Sequence, residues 1–577
     1  MSFTEGVRLS RYSGKSLARS GRWLAVCLLL CADLHWAEAA EANMKRVISA
    51  LLSSKPEQWL LEQDFSRYQP ELARLYAAGG MRLLWLGADD SEQNVRDALQ
   101  VLQNAEADGL NPSHYAAESL RQAFEELAAR NGSSPQALAM YDLSLSLSLL
   151  SFMHDVRQGR VDPAGFNYPP AFGAKTPLDA VRMLKAAMTR QSIAGLPDQA
   201  APELVQYQQL KSALAYYRRQ TELEPPADLE FAKVLHPGDS DARMPELRER
   251  LRSLGELMET EPAAEPAQAE LYDEATVEAV MRLQRLQGMS ADGVIGKQTL
   301  ALLNLKPAEK IGLIKLAMER LRWLPKPPAG RMIMVNIPAF QLWAFNSMDD
   351  QTALSMKVVV GKAGETQTPI LWEEMRFLEF MPYWNIPKSI WDKEILPKSR
   401  TDRHYLTKQE IEWVPAAAPR AASDEAEDDD PQPVSLRVRQ RPGKKNPLGK
   451  VKFIFPNKSD VYLHDTPARG AFGRDRRDLS HGCVRVAEPE KLAAFVLAEQ
   501  TGWDKQMISQ AMAGPKTQRV TLKKAVPVLF FYNTAYAGQD NKLRFYPDIY
   551  GYDQQLQSAL DKSGPTVRLG KALAADG

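Results

Sequence analysis

A multidomain α+β fold is predicted for this chain, on three observations. Apolar residues recur at helical spacing through the first third. A compact unit of three short helices follows, and beyond Arg331 the periodicity shortens to that of strands. At 577 residues the chain exceeds one ordinary core, and roughly 100–200 residues per domain makes three or four units. Composition is that of a globular protein, 44% hydrophobic and 25% charged. Lys+Arg and Asp+Glu are equal at 72, a balance that argues against a nucleic-acid partner.

The N-terminal 42 residues read as an export segment. Arg8, Arg11, Lys15, Arg19 and Arg22 precede the apolar run Trp23–Ala32, which falls short of the roughly 20 residues a membrane span needs. Small residues at Ala37–Ala42 offer a cleavage site after Ala39 or nearby. A cleaved signal peptide and a retained membrane anchor both fit. Cys27 and Cys31 would leave with a cleaved signal, so the mature chain would carry a single cysteine, Cys483. One unpaired cysteine in an exported protein points to a free thiol, reactive or buried and inert.

Residues 43–230 are expected to form a helical scaffold, in which His114 and His154 read as structural. "TELEPPAD" (Thr221–Asp228) is the linker out of it. In residues 235–305 a first helix is expected from Pro245 to Leu254, a second from Asp273 to Gln287, and a third at "KQTLALLN", each punctuated by Gly or Pro. The strands follow, at "RMIMVNIPAFQLWAFN", "ALSMKVVVGKAGETQTP", "EMRFLEFMPYWNIP", "KVKFIFPNKSDVYLHD" and "TLKKAVPVLFFYNTAYA", with a helix expected at "EPEKLAAFVLAEQT". Residues 387–446 interrupt the pattern as an insertion. Its acidic low-complexity run at 415–433 has too few apolar residues to build a core. Residues 551–577 read as a tail.

The chemistry-bearing stretch is "HDTPARGAFGRDRRDLSHGCVRV", His464–Val486. It gathers His464, His481 and Cys483 in a chain with seven histidines and three cysteines. A thiol attacks as its thiolate, an imidazole can take the proton, and backbone N–H groups can hold the oxyanion that forms. His464 is placed at a strand end and Cys483 after a glycine, where backbone approaches a substrate closely. The helix after Cys483 is expected to aim its dipole at the thiol and lower its pKa. A structural turn with a satisfied histidine and a buried cysteine remains open on these grounds.

"HDTP", with fifteen residues from Asp465 to Leu479, and then "SHGCVRV" resembles the active-site signature of the L,D-transpeptidases, exported enzymes that crosslink peptidoglycan through a cysteine. "RLRWLP", "VNIPAFQLWAF", "VVVGKAGETQTP", "PYWNIPKSI" and "LGKVKFIFPN" extend the likeness over about residues 311–550. "LHPGD", "VEAVMRLQRLQGM", "DGVIG" and "TLALLN" resemble a peptidoglycan-binding module, from which the insertion Met258–Glu270 departs. "LYAAGGMRLLW" and "ADGLNPSHY" are similar to the scaffold of the large Gram-negative branch, which also carries a capping insertion.

The resemblance implies a two-step acyl transfer in the periplasm, between tetrapeptide stems, giving 3→3 crosslinks. Cys483 would be the nucleophile and His464 the general base. Backbone N–H groups of His481, Gly482 and Cys483 would form the oxyanion site, with Ser480 supporting the turn. A backbone carbonyl would orient the histidine. Arg485, Tyr462, Tyr383 and Trp384 would contact substrate, although core packing serves the aromatics equally well. No metal or cofactor is implied, because two histidines and a cysteine do not make a convincing zinc set. Acylation by carbapenems is expected. An L,D-carboxypeptidase or wall hydrolase using the same pair, and a non-catalytic peptidoglycan-binding protein, are the competing readings.

Overall fold

The computed structural model describes residues 38–54, 60–61, 65–87, 91–129, 133–173, 178–224, 226–258, 269–347, 354–415, 436–538, 540–564 and 567–569. The apolar run Trp23–Ala32 and residues 416–433 of the acidic run lie outside them.

The scaffold is built around one helix, α1 (Pro135–Gln158), capped by the Ser134 side chain, which accepts from the Ala137 N–H. By length and composition α1 could cross a membrane, but it is packed inside the fold as the core helix. Asp142 on α1 explains why "LYAAGGMRLLW" is laid out as it is. Its buried carboxylate accepts from the Tyr76 hydroxyl at 2.5 Å and from the backbone N–H groups of Leu84, Trp85 and Leu86 at 2.9, 2.8 and 3.2 Å. Burial pushes its pKa up to about 6. Asp142→Ala strands those donors and is expected to cost about 3 kcal/mol, measured as a lower urea midpoint. Helix α2 (Val205–Gln220) closes the scaffold.

The three-helix unit forms as expected. Helices α3 (Met244–Ser253), α4 (Glu274–Leu286) and α5 (Lys297–Leu303) begin and end within a residue or so of the sequence-based limits. Pro245 sits in the first turn of α3, and Asp273 caps α4 by accepting from the Thr276 N–H at 2.8 Å. Leu247, Leu251, Val280, Leu283 and Leu303 give the unit its own core.

Helix α6 (Pro307–Trp323) leads from this unit toward the strands, and it packs against α2 of the scaffold. Buried Arg322 donates to Glu319 and to the Tyr207 hydroxyl, both at 2.9 Å, and to the Asp108 carbonyl. Glu319 also accepts from the Arg160 and Val161 N–H groups. Arg320 pairs at 2.5 Å with Asp553.

The C-terminal unit is a sheet of β1 (Met332–Asn336), β2 (Gln341–Phe345), β3 (Leu354–Gly361), β4 (Leu371–Phe380), β8 (Val451–Ile454), β9 (Leu463–His464), β10 (Asp478–Ser480), β11 (Val484–Val486) and β12 (Gln518–Phe531). The order is β10-β3-β11-β9-β8-β4-β12-β1-β2, and β2 also pairs with β3, closing the sheet on itself. The expected helix forms as α7 (Pro489–Leu497). The insertion makes a separate small sheet from β5 (Trp384–Asn385), β6 (Ile411–Pro415) and β7 (Leu436–Gln440), over a cluster of Ile395, Ile411 and Val438.

Residues 551–577, expected as a tail, are integrated where they are described. Tyr552–Lys562 is a helix with Leu556 and Asp553 buried, and Arg568–Leu569 pairs with Leu60–Leu61 of the scaffold side. An ion pair to α6 and backbone pairing supply the anchorage.

Candidate active site

Strands β8, β9 and β11 run side by side, and their register sets the site. His464 pairs with Lys452 across one side and with Arg485 across the other. Residues paired this way share a face, and strand alternation puts their neighbours on the opposite one. Phe453, Leu463 and Val484 form the intervening row and are buried in the core. The Val484 N–H donates to the Tyr462 carbonyl, which extends the pairing back to Tyr462 and Cys483. One face therefore collects Lys452, Tyr462, His464, Cys483 and Arg485.

His464 is 4% exposed. Its Nδ1 lies 2.5 Å from the Asp465 carbonyl oxygen, an acceptor that can only receive, so Nδ1 carries the proton. Nε2 of the neutral ring is left with its lone pair. Burial, then the charges of Arg485 and Lys452, push the His464 pKa down to about 3, against the opposing carbonyl bond. The Asp465 carboxylate is occupied elsewhere, accepting from the Lys450 N–H at 2.8 Å and pairing with Arg469.

Cys483 is a free thiol, half-buried, with Sγ 3.9 Å from the Asp460 carbonyl. Burial pushes its pKa up, and hydrogen bonding to Tyr462 and the charge of Lys452 oppose the rise. The expected lowering by a helix dipole is corrected here. Strand β11 intervenes between Cys483 and α7, which begins at Pro489 and so lies well beyond the range of a first-turn effect. The resting pair is a neutral thiol beside a neutral imidazole.

The loop before Cys483 is braced from two sides. Gly482 has φ +113°, a conformation that a glycine adopts without strain. The Ser480 hydroxyl donates to the Cys483 carbonyl at 2.6 Å and accepts from the Gly482 N–H at 3.2 Å. The Gly482 N–H, one of the three donors expected for an oxyanion, thus has the Ser480 hydroxyl as its acceptor here. From the loop after β3, Thr368 Oγ1 donates to the Gly482 carbonyl at 2.7 Å and accepts from the Gly361 N–H, and Thr366 Oγ1 donates to the Ser480 carbonyl at 3.0 Å. A side chain at Gly361 would overlap the Thr366 carbonyl. Tyr550 completes the brace, its hydroxyl bonding Gly361 and Thr368. Thr366, Thr368 and Tyr550 were missed as positioning residues. The segment "VVVGKAGETQTP" was visible, but its side-chain partners depend on tertiary contacts.

The insertion reaches this loop. Glu394 accepts from His481 Nε2 at 2.6 Å. Both side chains are more than 40% exposed, so the pair contributes about 1 kcal/mol or less. Glu394→Ala is therefore expected to leave the thermal midpoint nearly unchanged. It should also speed iodoacetamide alkylation of Cys483 severalfold, by freeing the loop from the insertion. Of the other candidate contacts, Tyr462 lies on the catalytic face, its ring 5.7 Å from that of His464, and Arg485 Nε is buried with no hydrogen-bond partner. Trp384 packs into the insertion's own cluster, and the Arg439 guanidinium lies 4.0 Å from the centre of the Tyr383 ring. Among the described residues neither has a ring contact or hydrogen bond to Cys483, Tyr462 or His464. A cavity of about 340 Å³ between the three-helix unit and the sheet, lined by Met289, Leu302, Leu313, Phe340 and Phe545, contains none of these groups.

Comparison with known families gives three matches. Residues 330–521 match the L,D-transpeptidase catalytic domain, 240–303 a "Putative peptidoglycan binding domain" and 70–214 a scaffold domain. A Haemophilus influenzae protein named "Putative L,D-transpeptidase" is 33% identical over 293 residues, spanning 49% of this chain and 58% of that protein. An L,D-transpeptidase structure from Xylanimonas cellulosilytica is 14% identical, with 53% of this chain and 100% of that one covered. Its TM-score of 0.16 carries no structural argument.

Proposed function

We propose, for a chain whose residues 330–521 carry an L,D-transpeptidase catalytic domain, that it forms 3→3 crosslinks between peptidoglycan stem peptides through a thioester on Cys483. The observation that carries this reading is that a neutral imidazole on β9, its Nδ1 proton held by a carbonyl, and the free thiol just before β11 fall on one face of the paired strands.

His464 Nε2 takes the thiol proton as Sγ attacks the carbonyl between the position-3 diamino acid and D-Ala. Negative charge develops on that oxygen, facing the N–H groups of the His481–Cys483 turn. As the tetrahedral centre collapses, the C–N bond breaks and the imidazolium returns its proton to the leaving D-Ala amine. The side-chain amine of a second stem then attacks the thioester. It gives its proton to Nε2, and Cys483 is released as the thiol.

The three-helix unit would hold the enzyme on the wall, and export to the periplasm would bring it there. The test is a product assay with Gram-negative disaccharide-tetrapeptide. A dimer lacking one D-Ala is the expected product. Tripeptide monomer alone would make water the acceptor and the enzyme a carboxypeptidase. Retention of muropeptides with no change would leave a binding protein.

A further inference from the structure

We propose that Lys452 is a positioning residue of this site, its ammonium acting as the counter-charge of the Cys483 thiolate from a perch on the Tyr462 ring. The proposal takes Cys483 as the nucleophile and adds what steadies it once the proton has left.

The register is the first support. Lys452 and Arg485 flank His464 on paired strands, so one cation stands on each side of the imidazole and both project from the face that holds Cys483. The second is the position of the ammonium. Lys452 Nζ lies 3.6 Å from the centre of the Tyr462 ring, a close cation–π contact, and Tyr462 is the aromatic that hydrogen-bonds the thiol. The third is what the ammonium lacks. Among the described residues the Lys452 side chain forms no salt bridge and no hydrogen bond. A half-buried charge without a partner is costly, and such costs concentrate where a charge appears during chemistry.

The groups facing Lys452 are few. Glu379 pairs with it on β4, Asp460 lies in the turn before β9, and Arg519 stands on β12 beyond Glu379. Tyr462, His464, Arg485 and Cys483 complete the set. Burial pushes the Lys452 pKa down, as expected for an ammonium short of counter-ions. The two cations also disfavour a resting imidazolium, so they help the thiolate while keeping His464 free to accept.

The test reads the thiol and not the crosslinking reaction, so it stands even if the acceptor proves to be water. Alkylation of Cys483 by iodoacetamide is followed from pH 6 to 10 in the wild type, Lys452→Met and Lys452→Arg. The Met variant should react about tenfold more slowly at pH 7.5, its profile displaced about one unit upward, which is tenfold per pKa unit. The Arg variant should stay within about threefold of wild type. A second arm needs no variant: Cys483 in wild type should favour the anionic reagent iodoacetate over iodoacetamide relative to free glutathione. An unshifted Met profile with native circular dichroism would overturn the proposal. So would a wild-type reagent ratio no higher than glutathione's.

Discussion

Cys483→Ala is expected to abolish the proposed acyl transfer: neither crosslinked dimer nor tripeptide should accumulate, and the rate should fall roughly 10⁴-fold or more, the scale on which loss of a covalent nucleophile is felt. The loss is chemical. Cys483 is only half-buried, its carbonyl is held by the Ser480 hydroxyl, and the loop is braced by Thr366 and Thr368, none of which needs the sulfur. Thermal stability should therefore change by about 1 kcal/mol or less. Intact-mass analysis with a carbapenem supplies the companion measurement. Wild type should gain one mass equivalent of the drug through attack of Sγ on the strained lactam, and Cys483→Ala should gain none. Residual crosslinking in the variant would place the nucleophile elsewhere.

The second large effect is on acid stability, and His464 is its source. The folded chain keeps this imidazole neutral down to about pH 3, whereas in the unfolded chain it takes a proton near the model value of 6.5. Below pH 6.5 the unfolded state binds a proton that the native state refuses, so stability falls as pH falls, by about 1.4 kcal/mol per unit down to the folded pKa. Between pH 7 and 5 this one residue removes about 2 kcal/mol. His114, pushed down to about 4 by burial and by Arg160, adds to the loss, whereas Asp142, raised to about 6, opposes it. Comparing urea unfolding of wild type and His464→Gln at both pH values cancels those contributions. The stability gap between the two proteins should move about 2 kcal/mol in favour of the variant on acidification. A gap independent of pH would mean that His464 titrates normally. The same variant should lose roughly 10²–10⁴-fold in acyl transfer at neutral pH, the range for a missing general base.

Much of this architecture was legible because its signals are local. Helix limits in the 235–305 unit follow from Pro245, Asp273, the glycines after the first two helices and Gly296 before the third, and these residues act within one turn of themselves. The pairing of His464 with Cys483 was legible as a motif. What escaped depends on register and on contacts between distant segments. Nothing in "KVKFIF" reveals that Lys452 stands beside His464, because that follows from the β8–β9 pairing. Glu394 lies 87 residues from His481, and no pattern in the insertion announces the contact. The hydrogen bond from the Gly482 N–H to the serine two residues earlier is likewise invisible in the motif. The expected helix dipole failed for a geometric reason, since a strand separates Cys483 from the helix.

Helix α6 has a consequence for how this protein comes apart. Its arginines and glutamate are buried against Asp108, Arg160 and Tyr207 on one side and against Asp553 on the other. Pulling Asp553 away would leave Arg320 an uncompensated charge in an apolar setting, and pulling the scaffold away would strip the buried Arg322–Glu319 pair of the polar groups that complete its hydrogen bonds. Local melting of the scaffold is thereby tied to melting of the catalytic sheet, and a stable half-unfolded intermediate has little room to exist. The scaffold and the catalytic-domain sheet, which look separable along the chain, share one cooperative fate, and a fragment cut at the linker would inherit the cost of α6 without its scaffold partners.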